Sequence, residues 1–305
     1  MSDEYHNGRD ADEAGPTALG GTRLSRRDLL HAAAATAALR ALGVMPLGLP
    51  GHARAATAPQ PIGLQLYTIR DIARSNFEYA LRLVSQIGYR EVEFAGLHDT
   101  SAKKVRGWLD KYSLAAPATH IDMSRLRTNL KGVVDEAQAL GVTYIVCPWI
   151  DATERKDAAA WKRIAADFNR FAESLQRVGL RFAYHNHDFE FQPLAGGEIG
   201  YDILLDETDA KLVTMELDLF WITKAKRDPL AYFEKWPGRF PSVHVKDMAG
   251  NGQMVNVGQG HIDWSRIFDK RREAGIEHLF VEHDNPRSPI DDITVSFRYM
   301  ARVGL

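Results

Sequence analysis

Short apolar runs alternate with amphipathic segments along most of the chain. The runs are rich in β-branched and aromatic residues, whereas apolar residues in the intervening segments recur every three to four positions, as in a helix. The clearest amphipathic segment carries one apolar stripe from Trp161 to Val178 and ends at Gly179. Eight apolar runs are predicted to be strands, at residues 62–67, 90–95, 115–121, 144–149, 180–187, 212–219, 242–246 and 278–283.

Eight strands, each followed by a helix, predict an α/β protein with a closed (β/α)8 TIM barrel formed by residues 56–305 as a single domain. A doubly wound open sheet is the alternative. Such a sheet usually carries a glycine-rich phosphate loop after its first strand, whereas here the residues Tyr67 to Arg70 stand in that place. The pattern therefore favours the barrel.

Residues 1–55 have a different pattern, in which a polar stretch precedes a short apolar one. The paired arginines Arg26 and Arg27 lead into an Ala/Leu-rich stretch and a small-residue site that ends at Ala55. This order predicts a leader with a twin-arginine-type export signal, and hence a periplasmic or secreted mature chain. An N-terminal anchor helix is the alternative, which Arg40 and two prolines disfavour.

Composition and charge exclude some classes of function and some kinds of site. The chain has 305 residues and a formal net charge of -2, without the basic surface of a nucleic-acid binder. Cys147 is the single cysteine of the sequence, which excludes an intrachain disulfide and a cluster of thiolate ligands.

Residues that bind metals follow several of the predicted strands. Side chains alternate between the two faces of a strand, and the outer face of a barrel must be apolar, so the polar residues are expected to point inward. A buried charge costs several kcal/mol unless it is paired or bound to a metal. The inward pairs at strand ends are Glu91 with Glu93, His185 with His187, Glu216 with Asp218, His244 with Lys246, and Glu282 with Asp284.

A site of imidazole and carboxylate groups without thiolate favours a divalent ion, with Mn²⁺, Mg²⁺, Co²⁺ and Zn²⁺ as candidates. Such an ion can bind two adjacent oxygens of a sugar and stabilise an enediolate beside a carbonyl. Flanking carboxylates can then move the proton. The pattern therefore indicates enzymatic chemistry on a small-molecule carbohydrate.

Eight segments of the chain together form a family signature. They are QLYTIR (65–70), GYREVEFAG (88–96), CPW (147–149), YHNHDFEF (184–191), ELDLFW (216–221), HVKDM (244–248), VGQGHIDW (257–264) and VEHD (281–284). Through these segments the sequence resembles the xylose isomerase-like TIM-barrel superfamily, and within it the proteins commonly called sugar phosphate isomerase/epimerase. The resemblance covers essentially all of residues 60–305.

The resemblance implies one divalent ion, Mn²⁺ first among the candidates, held at the ends of strands five to eight. Carried over position by position, the ligands are His185, Asp218, His244 and Glu282. Strand five departs from the family pattern, because many members have Glu-Asn-His where this chain has His185-Asn186-His187. In epimerases of the superfamily that glutamate is one of two proton-transfer groups, so the departure leaves the reaction open.

The leading expectation is an isomerase or epimerase that acts on a sugar or keto-sugar through a metal-stabilised enediolate. The alternative is a lyase or hydratase that removes the C1 substituent of a 3-keto-glycoside by β-elimination. A non-catalytic sugar-binding barrel is the third hypothesis. A phosphodiesterase of the endonuclease type is disfavoured by the near-neutral charge.

Further residues are assigned to catalysis or to substrate binding. The catalytic candidates are His185, Glu282, Glu93 and Lys246, although Lys246 could instead simply pair with Asp247. The substrate-binding candidates are His120, Tyr67, Trp149 and Trp221, for which packing in the core is the alternative, and His187, which could instead orient a metal ligand. The sequence shows no phosphate-binding loop, so an unphosphorylated carbohydrate is expected as the partner, with no nucleic acid and no stable membrane anchor. A homo-oligomer is compatible with the sequence.

Overall fold

The computed structural model describes residues 60–303. Within this range, eight parallel strands close into a barrel in the order β1-β10-β7-β6-β5-β4-β3-β2, in which β2 also pairs with β1. The predicted TIM barrel is therefore confirmed. The predicted leader and export signal lie outside the described residues and stay a prediction.

The strands are numbered in chain order, and all but two belong to the barrel. The barrel strands are β1 (Ile62–Gln65), β2 (Glu91–Phe94), β3 (Ala115–His120), β4 (Tyr144–Cys147), β5 (Arg181–His185), β6 (Val213–Asp218), β7 (Ser242–Val245) and β10 (His278–Val281). A small antiparallel hairpin between β7 and β10 consists of β8 (Asp247–Met248) and β9 (Met254–Val255).

Helices follow the barrel strands and cover the outer face of the barrel. They are α1 (Arg70–Ser75), α2 (Phe77–Ile87), α3 (Ala102–Tyr112), α4 (Met123–Thr128), α5 (Leu130–Leu140), α6 (Ala158–Gln176), α7 (Gly200–Glu207), α8 (Leu219–Lys224), α9 (Pro229–Lys235), α10 (Trp264–Asp269), α11 (Arg271–Ala274) and α12 (Pro289–Val303). Among these described helices, none is both long and apolar enough to cross a membrane.

Two predicted helices are each divided in two. The helix predicted between the third and fourth strands breaks at Asn129, whose non-helical backbone ends α4. The side chain of Asn129 accepts a hydrogen bond from the amide of Gly132 and so begins α5. The helix predicted between the seventh and eighth strands similarly breaks at Lys270. Apolar periodicity continues across both breaks, which is why it does not reveal them.

The hairpin β8–β9 is organised by one buried carboxylate. Asp247 accepts backbone N–H groups from Met248, Gly258, Gly260 and Ile262, together with the indole N–H of Trp264. A Cβ at Gly260 would collide with this carboxylate, and Gly258 has a positive φ of 88°. These two glycines therefore shape the loop after β7.

An apolar layer fills the barrel below its carboxyl-terminal mouth. Its buried members are Ala118, Tyr144, Val146, Ala183 and Phe280. The Phe280 ring lies edge-on beneath His244, with 6.2 Å between the ring centroids. Phe280 thus forms part of the floor on which the inward polar side chains rest.

Gly63 of β1 has no side chain, and the Phe280 ring occupies the position that a Cβ at residue 63 would take. We therefore expect Gly63→Ala to destabilise the barrel. An added Cβ would lie 2.5 Å from Cδ1 of Phe280 and 3.0 Å from the carbonyl oxygen of Leu279. Overpacking of this kind costs about 1–3 kcal/mol. Gly107→Ala is the control, because the added methyl group meets nothing and alanine favours the exposed α3 by about 0.5–1 kcal/mol. Urea unfolding of both variants measures these changes; equal stability of the two would contradict the packing account.

Candidate metal centre and active site

The candidate site is centred on His244, a fully buried residue of β7. Its Nε2 lies 2.7 Å from Oε2 of Glu93 and 3.0 Å from Oε2 of Glu216. Its Nδ1 lies 2.7 Å from Oε2 of Glu282 and 3.8 Å from Oδ2 of Asp218. Strands from across the barrel therefore bring four buried carboxylates to one imidazole.

Several ligand atoms at this centre make no hydrogen bond. They are Nδ1 of His185, Oδ2 of Asp218, Nδ1 of His244 and Oε2 of Glu282, all buried. The last two atoms lie only 2.7 Å apart, yet the angles of a hydrogen bond are not met. The Lys246 ammonium lies 2.9 Å from Oδ2 of Asp218 and 2.6 Å from Oε2 of Glu282 and offsets part of their charge. Buried carboxylates and imidazoles that crowd together in this way are costly unless further positive charge neutralises them.

The donor set fits a divalent ion. One ligand atom from each of Asp218, His244 and Glu282 lies within 4.8 Å of the other two, and these are three of the four predicted ligands. The fourth, His185, places Nε2 4.0 Å from Oδ2 of Asp218. Imidazole and carboxylate ligands of this kind suit Mn²⁺, Mg²⁺, Co²⁺ or Zn²⁺. The geometry brings the predicted ligands together, while the identity of the ion stays a prediction.

Asp218 serves two functions through its two carboxylate oxygens. Oδ1 accepts the amides of Phe220 and Trp221 at 2.9 and 2.8 Å, which begins α8 directly after β6. This leaves Oδ2 free to face the site. The amide of Asp218 donates to Oδ1 of Asn186 at 3.0 Å, so the segment after β5 is tied to the end of β6.

Glu216 is a supporting residue to which the sequence reasoning gave no role. Ser242 donates its hydroxyl to Oε1 at 2.9 Å, and Oε2 lies 3.0 Å from Nε2 of both His120 and His244. Burial opposes ionisation, but the two imidazoles hold the pKa of Glu216 well below its usual range. Glu216 can therefore orient His244, and its shared face with Asp218 was the available signal.

Glu93 and His120 form the part of the site nearest β2 and β3. Gln65 donates to Oε2 of Glu93 at 2.7 Å, a second contact that the sequence reasoning missed. Burial opposes protonation of His120, but Glu93 and Glu216 raise its pKa to about 9. His120 thus lies against the carboxylates and also lines the mouth, where it can contact a substrate.

The two histidines that follow Tyr184 are kept neutral. Burial lowers the pKa of His185 well below its usual range, with further lowering from His244, and burial lowers that of His187 to about 3. A neutral imidazole can bind a metal or accept a proton. The His187 ring packs between Trp149 and Trp221, at centroid distances of 4.9 and 5.4 Å.

The alternative that Lys246 pairs only with Asp247 is wrong. The Lys246 ammonium lies 2.9 Å from Oδ2 of Asp218, 2.6 Å from Oε2 of Glu282 and 2.7 Å from Oδ1 of Asp284. Side chains at adjacent strand positions point to opposite faces, so Asp247 turns away and binds the hairpin amides instead. Although Lys246 is buried, these carboxylates hold its pKa well above the usual range, which keeps the ammonium charged.

A cavity of about 520 Å³ opens above these groups. Tyr67 and Trp149, both predicted substrate contacts, line its rim and are 43% and 46% exposed. They present aromatic faces that can pack against a sugar ring. Trp221, the third predicted aromatic contact, lines a neighbouring cavity rather than this one. The geometry thus divides the predicted aromatic wall between two cavities.

The family model described as xylose isomerase-like TIM barrel matches residues 81–302. The chain is 28% identical over 136 residues to an inosose dehydratase from Lacticaseibacillus casei, in a match that covers 38% of this chain and 44% of that relative. In this match the chain therefore spans less than half the length of the relative. It is 25% identical over 233 residues to an inosose dehydratase from Geobacillus kaustophilus, covering 63% of this chain and 75% of the relative.

A solved structure also matches the barrel. The crystal structure of a sugar phosphate isomerase/epimerase from Parabacteroides distasonis gives a TM-score of 0.71 at 24% identity. The match covers 83% of this chain and 97% of that one. At this identity the likeness establishes the fold alone.

Glu190, buried behind the site, is expected to make stability depend on pH. The Tyr184 hydroxyl donates to its Oε1 at 2.6 Å, and the His187 amide donates to its Oε2 at 2.8 Å. Burial raises the pKa of Glu190 from 4.5 to about 8. The folded state thus holds this proton more tightly, so its contribution is complete below pH 4.5 and is lost as pH rises through about 8.

Glu190→Gln removes the titrating group and retains its shape. The free energy of unfolding of the wild type should fall across that pH window more steeply than that of the variant, by at most about 1.4 kcal/mol per pH unit. Urea titrations across the window measure both slopes. Parallel slopes would show that Glu190 is ionised in the folded protein.

Proposed function

Because the chain belongs to the xylose isomerase-like TIM-barrel family, we propose that it is a divalent-metal-dependent lyase acting on a keto-sugar or keto-cyclitol. The observation that carries this proposal is an asymmetry in the site. A neutral imidazole, His185, lies 4.0 Å from Oδ2 of Asp218, and a charged ammonium, Lys246, lies 2.9 Å from the same oxygen. An elimination needs one base and one acid, whereas a symmetric epimerisation needs two equivalent bases.

The residues that would hold the ion are Asp218, His244 and Glu282, with His185 as a fourth ligand where it does not act as base. Their unsatisfied buried atoms are the reason for this assignment. A bound divalent ion supplies Lewis-acid stabilisation of the negative charge that develops on a carbonyl oxygen. Glu216 orients His244 from its other ring nitrogen.

The bond changes follow from a base and an acid that both line the cavity. His185 takes the proton from the carbon next to the ketone, and the C–H electron pair forms an enolate. The enolate then re-forms the ketone and expels the substituent on the β carbon, which leaves a C=C bond. Lys246 donates the proton that the leaving group takes, so the products are an unsaturated ketone and water or an alcohol.

The names of the curated relatives support an elimination reaction. A dehydratase eliminates water, which involves the same bond changes, and both matched relatives carry the name inosose dehydratase. The substrate is an unphosphorylated carbohydrate in this proposal. Arg125 and Lys246 supply the arginine and lysine side chains of the mouth, and both are already engaged, Arg125 with Glu136 and Lys246 with its carboxylates.

An isomerase or epimerase, the leading expectation from the sequence, is the second candidate. Glu93 and Glu282 lie on opposite sides of His244, each 2.7 Å from one ring nitrogen. Two carboxylates are the pair of bases that such a proton exchange needs, although Glu282 lines the cavity and the fully buried Glu93 does not. The contacts of Glu93 and Glu282 with His244 are the reason to keep an isomerase or epimerase as the second candidate.

Proton NMR in buffered D₂O separates the two reactions. The Mn²⁺-loaded protein is incubated with a 3-keto-glucoside, an inosose and a free ketose. We expect release of the leaving group and a new vinylic signal. Lys246→Met should lower elimination at least about 100-fold while deuterium still enters the carbon next to the ketone, because base and acid act in separate steps.

His278→Gln at the opposite end of the barrel is the control, since His278 contacts Glu91 and not the site. It should eliminate at the wild-type rate. Deuterium-labelled epimer or ketose without elimination would contradict the lyase and favour the second candidate. Protein that leaves all three compounds unchanged would contradict both.

A further inference from the structure

A second cavity of about 650 Å³ lies beside the mouth of the first. The two cavities share two lining residues, Asp284 and Asn285, on the segment after β10. Asp284 is bonded to the Lys246 ammonium at 2.7 Å. The wall between the cavities therefore carries the partner of the proton donor assigned above.

From this adjacency we infer that the substrate is a two-part molecule whose leaving group is an aromatic acid held in the second cavity. This inference rests on the proposed lyase function. A leaving group must lie close to the acid that protonates it, and Lys246 lies where the first cavity meets that shared wall. The remainder of the leaving group then extends past Asp284 into the second cavity.

The lining of the second cavity has the chemistry for an aromatic ring. Trp221, Phe220 and Met254 give it apolar surface. Trp221 is the predicted sugar contact that the first cavity does not include, and the Lys224 ammonium lies 4.5 Å from the centroid of its ring. An aromatic acid in this cavity would therefore meet the indole of Trp221 and the Lys224 cation together.

The charges of the second cavity favour an anion. Lys224 and Arg287 line it, and no carboxylate within residues 60–303 pairs with either cation. Its two acids are already engaged, Asp284 with Lys246 and Asp292 with the side chain of Asn256 at 2.9 Å. The formal charges of these four residues cancel, but both oxygens of Asp292 accept hydrogen bonds, from Asn256 and from the amide of Ser288. Lys224 and Arg287 have no carboxylate partner in the described part of the chain, so a carboxylate on the leaving group would meet these two cations.

The cavity is preformed, because its outer wall is fixed. The hairpin β8–β9 supplies Met254, and the buried Asp247 carboxylate holds the segment after that hairpin through its backbone amides. The amide of Asp284 donates to the Met254 sulfur at 3.2 Å, which ties this hairpin to the shared wall. A rigid wall lowers the ordering cost of binding a second moiety.

Three 3-keto-glucosides that differ only in their leaving group test the inference, namely methyl, phenyl and 4-carboxyphenyl. With the Mn²⁺-loaded full chain we expect kcat/KM to rise from methyl to phenyl, and to rise at least a further ten-fold for the 4-carboxyphenyl compound. The double variant Lys224→Met/Arg287→Met should remove the advantage of the 4-carboxyphenyl compound over the phenyl compound, mainly by raising the KM of the 4-carboxyphenyl compound. It should leave the methyl compound unchanged.

Lys103→Met/Arg272→Met is the matched control, because it removes the same charge from exposed positions outside the cavity. It should keep the preference for the carboxylate. Elimination from all three compounds at similar kcat/KM, with no effect of the cavity variant, would overturn the inference and leave the lyase function standing.

Calorimetry with the three corresponding glucosides, which lack the ketone, separates binding from chemistry. If no compound is eliminated, tighter binding of the 4-carboxyphenyl glucoside that is lost in the cavity variant still supports the second cavity as an aromatic-acid site. Equal binding of the three glucosides, or no binding of any, would overturn it.

Discussion

The mutual repulsion of buried carboxylates is the constraint on which the rest of the site depends. Glu93, Glu216, Asp218 and Glu282 lie within the barrel mouth, each at most 6% exposed. Several kcal/mol would be lost for each unneutralised charge at such depth. The chain offsets this cost with imidazoles at the centre and with Lys246 at the edge, and the ligand atoms left without hydrogen bonds define where a cation belongs.

Barrel closure explains why distant parts of the sequence supply one site. Parallel strands end at the same rim, so the last inward residue of each strand meets the others there. The layer below, which includes Phe280, sets the depth of these residues. Each strand end then supplies a different group: β5 ends in a neutral imidazole, the residue that follows β7 is a charged ammonium, and the carboxylates around them balance the charge.

Most of the fold could be predicted from periodicity, because each barrel strand and its helix repeat a pattern that is long enough to detect. The hairpin β8–β9 could not, since strands of two residues have no measurable period. The break at Asn129 was equally hidden, because it depends on a side-chain cap rather than on apolar spacing.

The site was predictable where strand alternation alone decides which way a side chain points. The geometry brings Asp218, His244 and Glu282 together as the sequence suggested. The supporting contacts depend on distances across the barrel, which no local pattern contains. For this reason no role for Glu216 or Gln65 could be predicted. Local sequence suggested Asp247 as a partner for Lys246, whereas its partners are Asp218 and Glu282, at the ends of other strands.

Metal content measured by mass spectrometry, after equilibration with Mn²⁺ and gel filtration, tests the central claim most directly. The account predicts about one ion per chain, lost in Asp218→Asn and retained in Glu91→Gln, which removes a carboxylate at the opposite end of the barrel. A metal-free wild-type protein, or equal metal content in the two variants, would contradict it.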